Sequence, residues 1–187
     1  LPVPAEEARA GFTESSAREQ LRDAFDEAVR MRLISDVPLG AFLSGGIDSA
    51  LVVASRAMQT NEPVKTFSIG FDEPDFNELP LAALVARKYK TEHHETLINR
   101  DEMQKFLPLL VRLQDEPIAD NVCIPLYFLA KLVKDSGTTV VQVGEGADEN
   151  FLGYWWCVHY RRMERAVYQP ARRHRPGWRR AQAARGH

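Results

Sequence analysis

Two glycine-containing loops hold the side chains of this sequence that could do chemistry. The first loop, Ser44-Gly45-Gly46-Ile47-Asp48-Ser49, follows an apolar run and precedes a segment with helical spacing. Its glycines permit a tight turn, and the start of the helix would present free backbone N–H groups to an anion. Ser44 and Ser49 add hydroxyl donors, and Asp48 could hold a divalent metal bound to the same anion. The spacing predicts a phosphate-binding loop; the simpler alternative is a tight strand-to-helix turn that Asp48 caps.

This loop is not the Walker A type of phosphate loop. No Gly-Lys-Ser or Gly-Lys-Thr follows the glycines, and the one charged side chain within residues 44–49 is the carboxylate of Asp48. Phosphate binding here would therefore depend on backbone groups, hydroxyl groups and a bridging cation.

The second loop is acidic and has the sequence Gly144-Glu145-Gly146-Ala147-Asp148-Glu149. Carboxylates this close together repel one another unless a cation or a substrate ammonium group joins them. We therefore predict that Asp48 and Asp148 hold one Mg²⁺, which would in turn bind phosphate oxygens at the first loop. The alternative is an acidic helix start that the helix dipole stabilises.

Strands and helices alternate along the sequence and would position both loops. The predicted strands are 37–43, 64–71, 93–98 and 139–143, and the predicted helices are 16–35, 50–58, 77–89, 103–113 and 124–134. The first helix is expected to start at Ser16, with Glu19 completing a capping box. This alternation predicts an α/β fold, a parallel twisted sheet with helices on both faces. Ligands bind such sheets at the carboxyl ends of the strands, so both loops should open on the same edge.

Length and charge limit the alternatives. The chain has 187 residues and a formal charge of −2, which fits one α/β domain and argues against a general nucleic-acid binder. We predict three segments: a linker over 1–16, a core over 17–160 and a basic segment over 161–187. The arginines of the basic segment could bind a polyanion or could simply be solvated. With no apolar run near ~18 residues, no signal-peptide pattern and no CxxC pair, a soluble cytoplasmic protein with reduced thiols is expected.

The two loops together resemble a known family. Residues 44–49 are similar to the pyrophosphate loop of the N-type ATP pyrophosphatases, and residues 144–149, with Phe151 and Gly153-Tyr154, resemble the asparagine synthetase family of the glutamine-hydrolysing type. Further matches in the same order are Val37-Pro38-Leu39-Gly40, Phe67-Ser68-Ile69-Gly70-Phe71, His93-His94-Glu95, and Asp115-Glu116-Pro117 with Asp120. The resemblance covers about Leu21 to Tyr160 and implies a Rossmann-like sandwich of the adenine-nucleotide α-hydrolase type.

The resemblance implies an enzyme that activates a carboxylate with ATP. In that family the aspartate side chain attacks the α-phosphate, which gives β-aspartyl-AMP and pyrophosphate, and ammonia then displaces AMP. The ammonia comes from glutamine in an N-terminal glutaminase domain. The implied cofactors are ATP and Mg²⁺, with Asp48 and Asp148 as metal ligands and Glu145 as the catalytic glutamate of amide formation. The implied ATP- and pyrophosphate-binding residues are Leu43, Ser44, Gly45, Gly46, Asp48, Ser49, Ile69 and Gly144.

The sequence also departs from the family pattern. Val143 replaces a usual serine, Leu152 replaces a common glycine, and no lysine follows Lys134, although the family uses a catalytic lysine after the acidic loop. We therefore expect a piece of a longer enzyme. Trp155, Trp156 and Tyr160 would form a helix that packs against the missing part, and their exposure would favour self-association, with a homodimer as the expected form. The alternatives are an amidotransferase for another carboxylate (a sugar acid, a peptide or a β-lactam precursor) and a non-catalytic module that binds a polyanion through its arginines.

Overall fold

The computed structural model describes residues 13–163, so most of the predicted linker and residues 164–187 of the basic segment lie outside the described part. The chain divides into two compact units between Gly144 and Glu145. Within residues 13–163, no helix combines the length and apolar character needed to cross a membrane.

The first unit alternates helices and strands. In chain order these are α1 (Glu14–Met31), β1 (Leu39–Phe42), α2 (Ile47–Gln59), β2 (Lys65–Phe71), α3 (Leu79–Tyr89), β3 (Glu92–Ile98), α4 (Arg100–Leu113), α5 (Cys123–Asp135) and β4 (Val140–Gln142). A short 3₁₀ turn, Pro74–Phe76, lies in the predicted loop between β2 and α3. The second unit contains α6 (Ala147–Phe151) and α7 (Trp155–Met163).

The four strands form one parallel sheet in the order β3-β2-β1-β4. The chain therefore builds outward from β1 to β3 and then returns, through α4 and α5, to pair Val140 of β4 with Leu39 of β1. The strand order reverses between β1 and β4, which is the position where open parallel sheets leave a crevice for a ligand. The loop after β1 is the one with residues 44–49.

Alternating side chains of β1 and β2 build a core on each face of the sheet. One core joins the strand ends to α2 and α3 and contains Ala41, Leu43, Val53, Val64, Ala82 and Ala86. The other joins Phe67 of β2 to Leu129 and Val133 of α5, with Phe42 and Ile69 packed against it. Helices therefore cover both faces, and the predicted α/β fold is confirmed.

The largest boundary error concerns the first helix. Thr13, not Ser16, is the N-cap, because the Thr13 side chain accepts the Ser16 N–H at 3.1 Å and the Ser16 hydroxyl accepts the Thr13 N–H at 3.1 Å. Glu19 consequently lies inside the helix, which ends at Met31. The second helix also begins earlier than predicted, at Ile47 rather than at residue 50, so the phosphate-loop prediction includes its first turn.

Candidate functional site

The loop between β1 and α2 is held by its two serines. The Ser44 N–H donates to Ser49 Oγ at 3.0 Å, and the two hydroxyl oxygens lie 2.8 Å apart. The Gly46 N–H donates in turn to Ser44 Oγ at 3.1 Å. Ser49 is only 8% exposed, whereas Ser44 is exposed. Ser49 therefore acts as an internal brace in this structure, and Ser44 is the serine on the loop surface.

The start of α2 keeps backbone donors without acceptors. The N-cap is Gly46, which has no side chain, and Ala50 is the first residue whose N–H bonds back into the turn, to Gly46 O at 3.3 Å. Among residues 13–163, no acceptor pairs with the N–H groups of Ile47 and Asp48. Asp48 is exposed at this helix end. These donors and the exposed carboxylate fit a phosphate group that carries a divalent cation.

Gly144 brings the end of β4 against this helix start. A Cβ at residue 144 would lie 2.9 Å from Ser49 N and 3.1 Å from the carbonyl carbon of Asp48. Atoms of the backbone cannot rotate away as the end of a side chain can, so the close approach requires glycine here. The predicted pocket residue Gly144 therefore lies directly beside the predicted phosphate loop.

Two other predicted nucleotide contacts occupy the sheet. Leu43 is 2% exposed and packs in the core on the α2 side, so its side chain supports the loop from below. Ile69 is half-buried on the opposite face, against the core that contains Phe67. Their contact with a nucleotide stays a prediction.

Glu78 is a contact of the loop that the sequence reasoning missed. Its Oε2 accepts the Gly45 N–H at 3.0 Å, although the two residues are far apart in the chain. The local sequence Asn77-Glu78-Leu79-Pro80 signals only a helix start, and nothing in it indicates which loop the carboxylate would reach.

All of the acidic loop except Gly144 belongs to the second unit, where Gly146 has φ +93° and precedes the single turn of α6. Tyr154 donates its hydroxyl to Glu149 Oε1 at 2.5 Å. This hydrogen bond raises the pKa of Tyr154 to about 12 and, as the largest cause, lowers the pKa of Glu149. The exposed Glu145 carries no such bond in the described chain. Glu149 is thus engaged in a hydrogen bond within the second unit, so Glu145 and Asp148 are the carboxylates of this loop that remain available for chemistry.

Two further backbone positions shape the acidic loop. Gly153 lies so close to Asp148 that a Cβ would fall 1.8 Å from its Oδ1, and the Gly153 N–H donates to the Asp148 carbonyl at 3.0 Å. Leu152 has φ +59° and ψ +39° as the C-cap of α6. A leucine in this left-handed conformation is strained, whereas a glycine, which the resemblance implies at this position, would not be.

No group of three or more His, Cys, Asp or Glu side chains in the described chain is arranged to hold a metal ion. A magnesium ion shared by Asp48, Asp148 and phosphate oxygens needs only two protein carboxylates. These aspartates lie in different units, and their shared metal stays a prediction.

Solved structures with a related outline include two synthetases. The NH3-dependent NAD synthetase from Campylobacter jejuni is similar over 76% of this chain and 61% of that chain, with 20% identity and a TM-score of 0.46. The NMN synthetase from Francisella tularensis is similar over 77% of this chain and 59% of that chain, with 18% identity and a TM-score of 0.47.

Sequence relatives are much closer. The chain is 44% identical over 135 residues to "Asparagine synthetase [glutamine-hydrolyzing] 1" of Bacillus subtilis, covering 72% of this chain and 21% of that protein. It is 38% identical over 153 residues to "Asparagine synthetase [glutamine-hydrolyzing]" of Cricetulus griseus, covering 77% of this chain and 27% of that protein. The chain therefore spans less than a third of the length of these two curated relatives. The family model described as "Asparagine synthase" matches residues 20–186, and with these identities it shows that the chain belongs to the asparagine synthase family.

Proposed function

We propose that this chain is the ATP-binding part of an enzyme that adenylates a carboxylate, releases pyrophosphate and then forms an amide with ammonia. Conversion of aspartate to asparagine is the proposed reaction. The observation that carries the proposal is the start of α2 beside the strand-order reversal. There the Ile47 and Asp48 N–H groups have no acceptor within the described range 13–163. Family membership supports the same reaction class.

The loop would bind the β- and γ-phosphates, which leave together as pyrophosphate. The N–H groups at the start of α2 and the exposed Ser44 hydroxyl are the donors available for phosphate oxygens. Donors fixed before the reaction stabilise the charge that gathers on the departing group without having to reorganise. Gly144 would leave room for the nucleotide where a side chain would collide with the helix start.

Asp48 and Asp148 would hold Mg²⁺, and Glu145 would assist the amide-forming step. When bound, Mg²⁺ neutralises phosphate charge and orients the leaving pyrophosphate. A separate glutaminase domain would supply ammonia, in keeping with the words "glutamine-hydrolyzing" in the names of the relatives. We also propose that the longer protein supplies the catalytic lysine and acts in the cytoplasm, and that the exposed Trp155 and Tyr160 of α7 favour a homodimer.

Calorimetric titration of the 187-residue chain with Mg-ATP tests the binding proposal. We expect Asp48→Ala to weaken binding about tenfold or more, the effect of losing a charged contact of about 1.4 kcal/mol or more. Asp36→Ala is the matched control, because Asp36 is also exposed but precedes β1, at the amino-terminal end of the strand and away from the phosphate loop. Absence of Mg-ATP binding by the native chain would refute the proposal.

ATP–pyrophosphate exchange by the full-length protein tests the substrate. Exchange that depends on aspartate supports asparagine synthesis, whereas exchange only with a sugar acid, a peptide or a β-lactam precursor supports the same chemistry on another carboxylate. Polyanion binding that weakens with salt, without any exchange, would instead support the non-catalytic alternative.

A further inference from the structure

Glu78 is unusual for a residue at the start of a helix. It is the N-cap of α3, but its side chain caps no N–H of its own helix. Asn77 instead caps the start of α3, because its Oδ1 accepts the Leu79 N–H at 3.1 Å. The Glu78 carboxylate is therefore free to cross to the neighbouring loop, where Oε2 accepts the Gly45 N–H at 3.0 Å.

The first turn of α3 packs against Gly45 as well as bonding to it. A Cβ at residue 45 would lie 3.0 Å from Leu81 Cδ1 and 3.1 Å from Glu78 Cβ. The turn is itself fixed on the sheet at Gly70, where a Cβ would collide with Leu79 at 2.5 Å and with Asn77 Oδ1 at 2.7 Å. Gly45 is consequently held by an element that is anchored on β2.

We propose that Glu78 is a positioning residue for the phosphate loop, which fixes Gly45 through its N–H so that the first turn of α2 stays open to pyrophosphate. This inference rests on the proposed function of the loop. Two adjacent glycines have wide backbone freedom, and a loop that must be ordered on binding loses affinity in proportion. The Gly45 N–H donates to Glu78 and the Gly46 N–H donates to Ser44. In the part of the chain that the structure describes, the loop donors left unpaired are therefore those at the start of α2.

The charge of Glu78 acts in the opposite direction. A carboxylate beside an anion site repels the anion, while its hydrogen bond orders the site. Glu78→Gln separates the two effects, because the amide oxygen can still accept the Gly45 N–H but the charge is gone. Glu78→Ala removes both. Glu73→Ala is the matched control, since Glu73 is another exposed glutamate of the same segment whose side chain caps nothing.

The experiment is calorimetric titration of the 187-residue chain with inorganic pyrophosphate and Mg²⁺. Glu78→Ala should bind pyrophosphate about tenfold more weakly, or about 1.4 kcal/mol, because the backbone at Gly45 must then be ordered on binding. Glu78→Gln and Glu73→Ala should bind at least as tightly as the native chain. Amide hydrogen exchange should accelerate at Gly45 in Glu78→Ala alone.

A second measurement uses the native chain and so does not depend on the folding of a variant. In NMR spectra, the scalar coupling across the hydrogen bond between the Gly45 amide nitrogen and the Glu78 carboxyl carbon should be present both without and with bound pyrophosphate. Loss of that coupling on binding would show that the ligand displaces Glu78 and would overturn the inference. Native or tighter pyrophosphate binding by Glu78→Ala would also overturn it, as would equal weakening in Glu78→Gln. If the native chain binds no pyrophosphate, the proposed function fails first and the inference falls with it.

Discussion

Gly144→Ala tests whether β4 lies as close to the phosphate loop as the structure has it. The new methyl group would lie 2.9 Å from Ser49 N, 3.1 Å from the carbonyl carbon of Asp48 and 3.3 Å from Asp48 Cβ. Ordinary contact begins at about 3.5 Å, so β4 and α2 must separate by roughly 0.6 Å. Overpacking of this kind costs about 1–3 kcal/mol, while the reduced freedom of the unfolded chain returns about 0.4–1 kcal/mol. We expect a net loss of about 0.5–2 kcal/mol in the free energy of unfolding.

Urea unfolding followed by circular dichroism measures this loss. With a slope of roughly 2 kcal/mol per molar urea, the midpoint should fall by about 0.25–1 M at an unchanged slope. The reasoning is refuted if Gly144→Ala unfolds at the native midpoint.

Three other variants probe single contacts. Leu152→Gly should raise the free energy of unfolding by about 0.5–1 kcal/mol in urea, because it relieves a left-handed leucine; no gain would mean that the φ of +59° carries no strain. Tyr154→Phe should move the pKa of Glu149 up toward its ordinary value of 4.5, as measured by NMR titration of the carboxyl. The stability that Tyr154 contributes is fully present below its ordinary pKa of 10 and is lost as the pH rises through its raised pKa of about 12. The stability that Glu149 contributes is present above its ordinary pKa of 4.5 and is lost as the pH falls through its lowered pKa. Arg56→Met should lower the free energy of unfolding by about 1–3 kcal/mol, because the buried guanidinium donates to two carbonyls of β1 at 2.6 and 2.5 Å; a native urea midpoint would contradict this expectation.

Local patterns were sufficient to predict the sheet. Apolar runs such as 64–71 are bounded by turn residues, and β2 occupies Lys65–Phe71 with one residue fewer than predicted. The parallel arrangement also followed, because helical segments separate every pair of strands. Capping was harder, since Thr13 and Ser16 lie three residues apart, as do Ser16 and Glu19, and either pair could form a capping box. In the structure the earlier pair, Thr13 and Ser16, forms the capping box, so the helix begins at Glu14 rather than at Ser16.

The chemistry of the loop was less accessible from sequence than its location. Residue types predicted Ser44 and Ser49 as donors to a phosphate, which stays a prediction, but they did not indicate that Ser49 is buried and accepts the Ser44 N–H. The bond between Glu78 and Gly45 depends on how α3 packs at the end of the sheet, and no local pattern carries that information. Gly144 was predicted as a pocket residue from family likeness, whereas its physical reason, the contact with the backbone of α2, appears only in three dimensions.

The strand order also determines when, during folding, β4 can reach the phosphate loop. Neighbours in the chain make most of the contacts among β1, α2, β2, α3 and β3. In contrast, β4 is the last strand of the first unit in the chain but pairs with β1, the first. Contacts between distant residues must overcome a larger loop-closure entropy, so β4 should dock late, and as a three-residue strand at one edge of the described sheet it should detach first. Detachment would remove Gly144 from α2 while leaving the serine brace intact. Hydrogen exchange should therefore show β4 opening at a lower free energy than β1 and β2, so that the proposed nucleotide pocket is lost before the fold is.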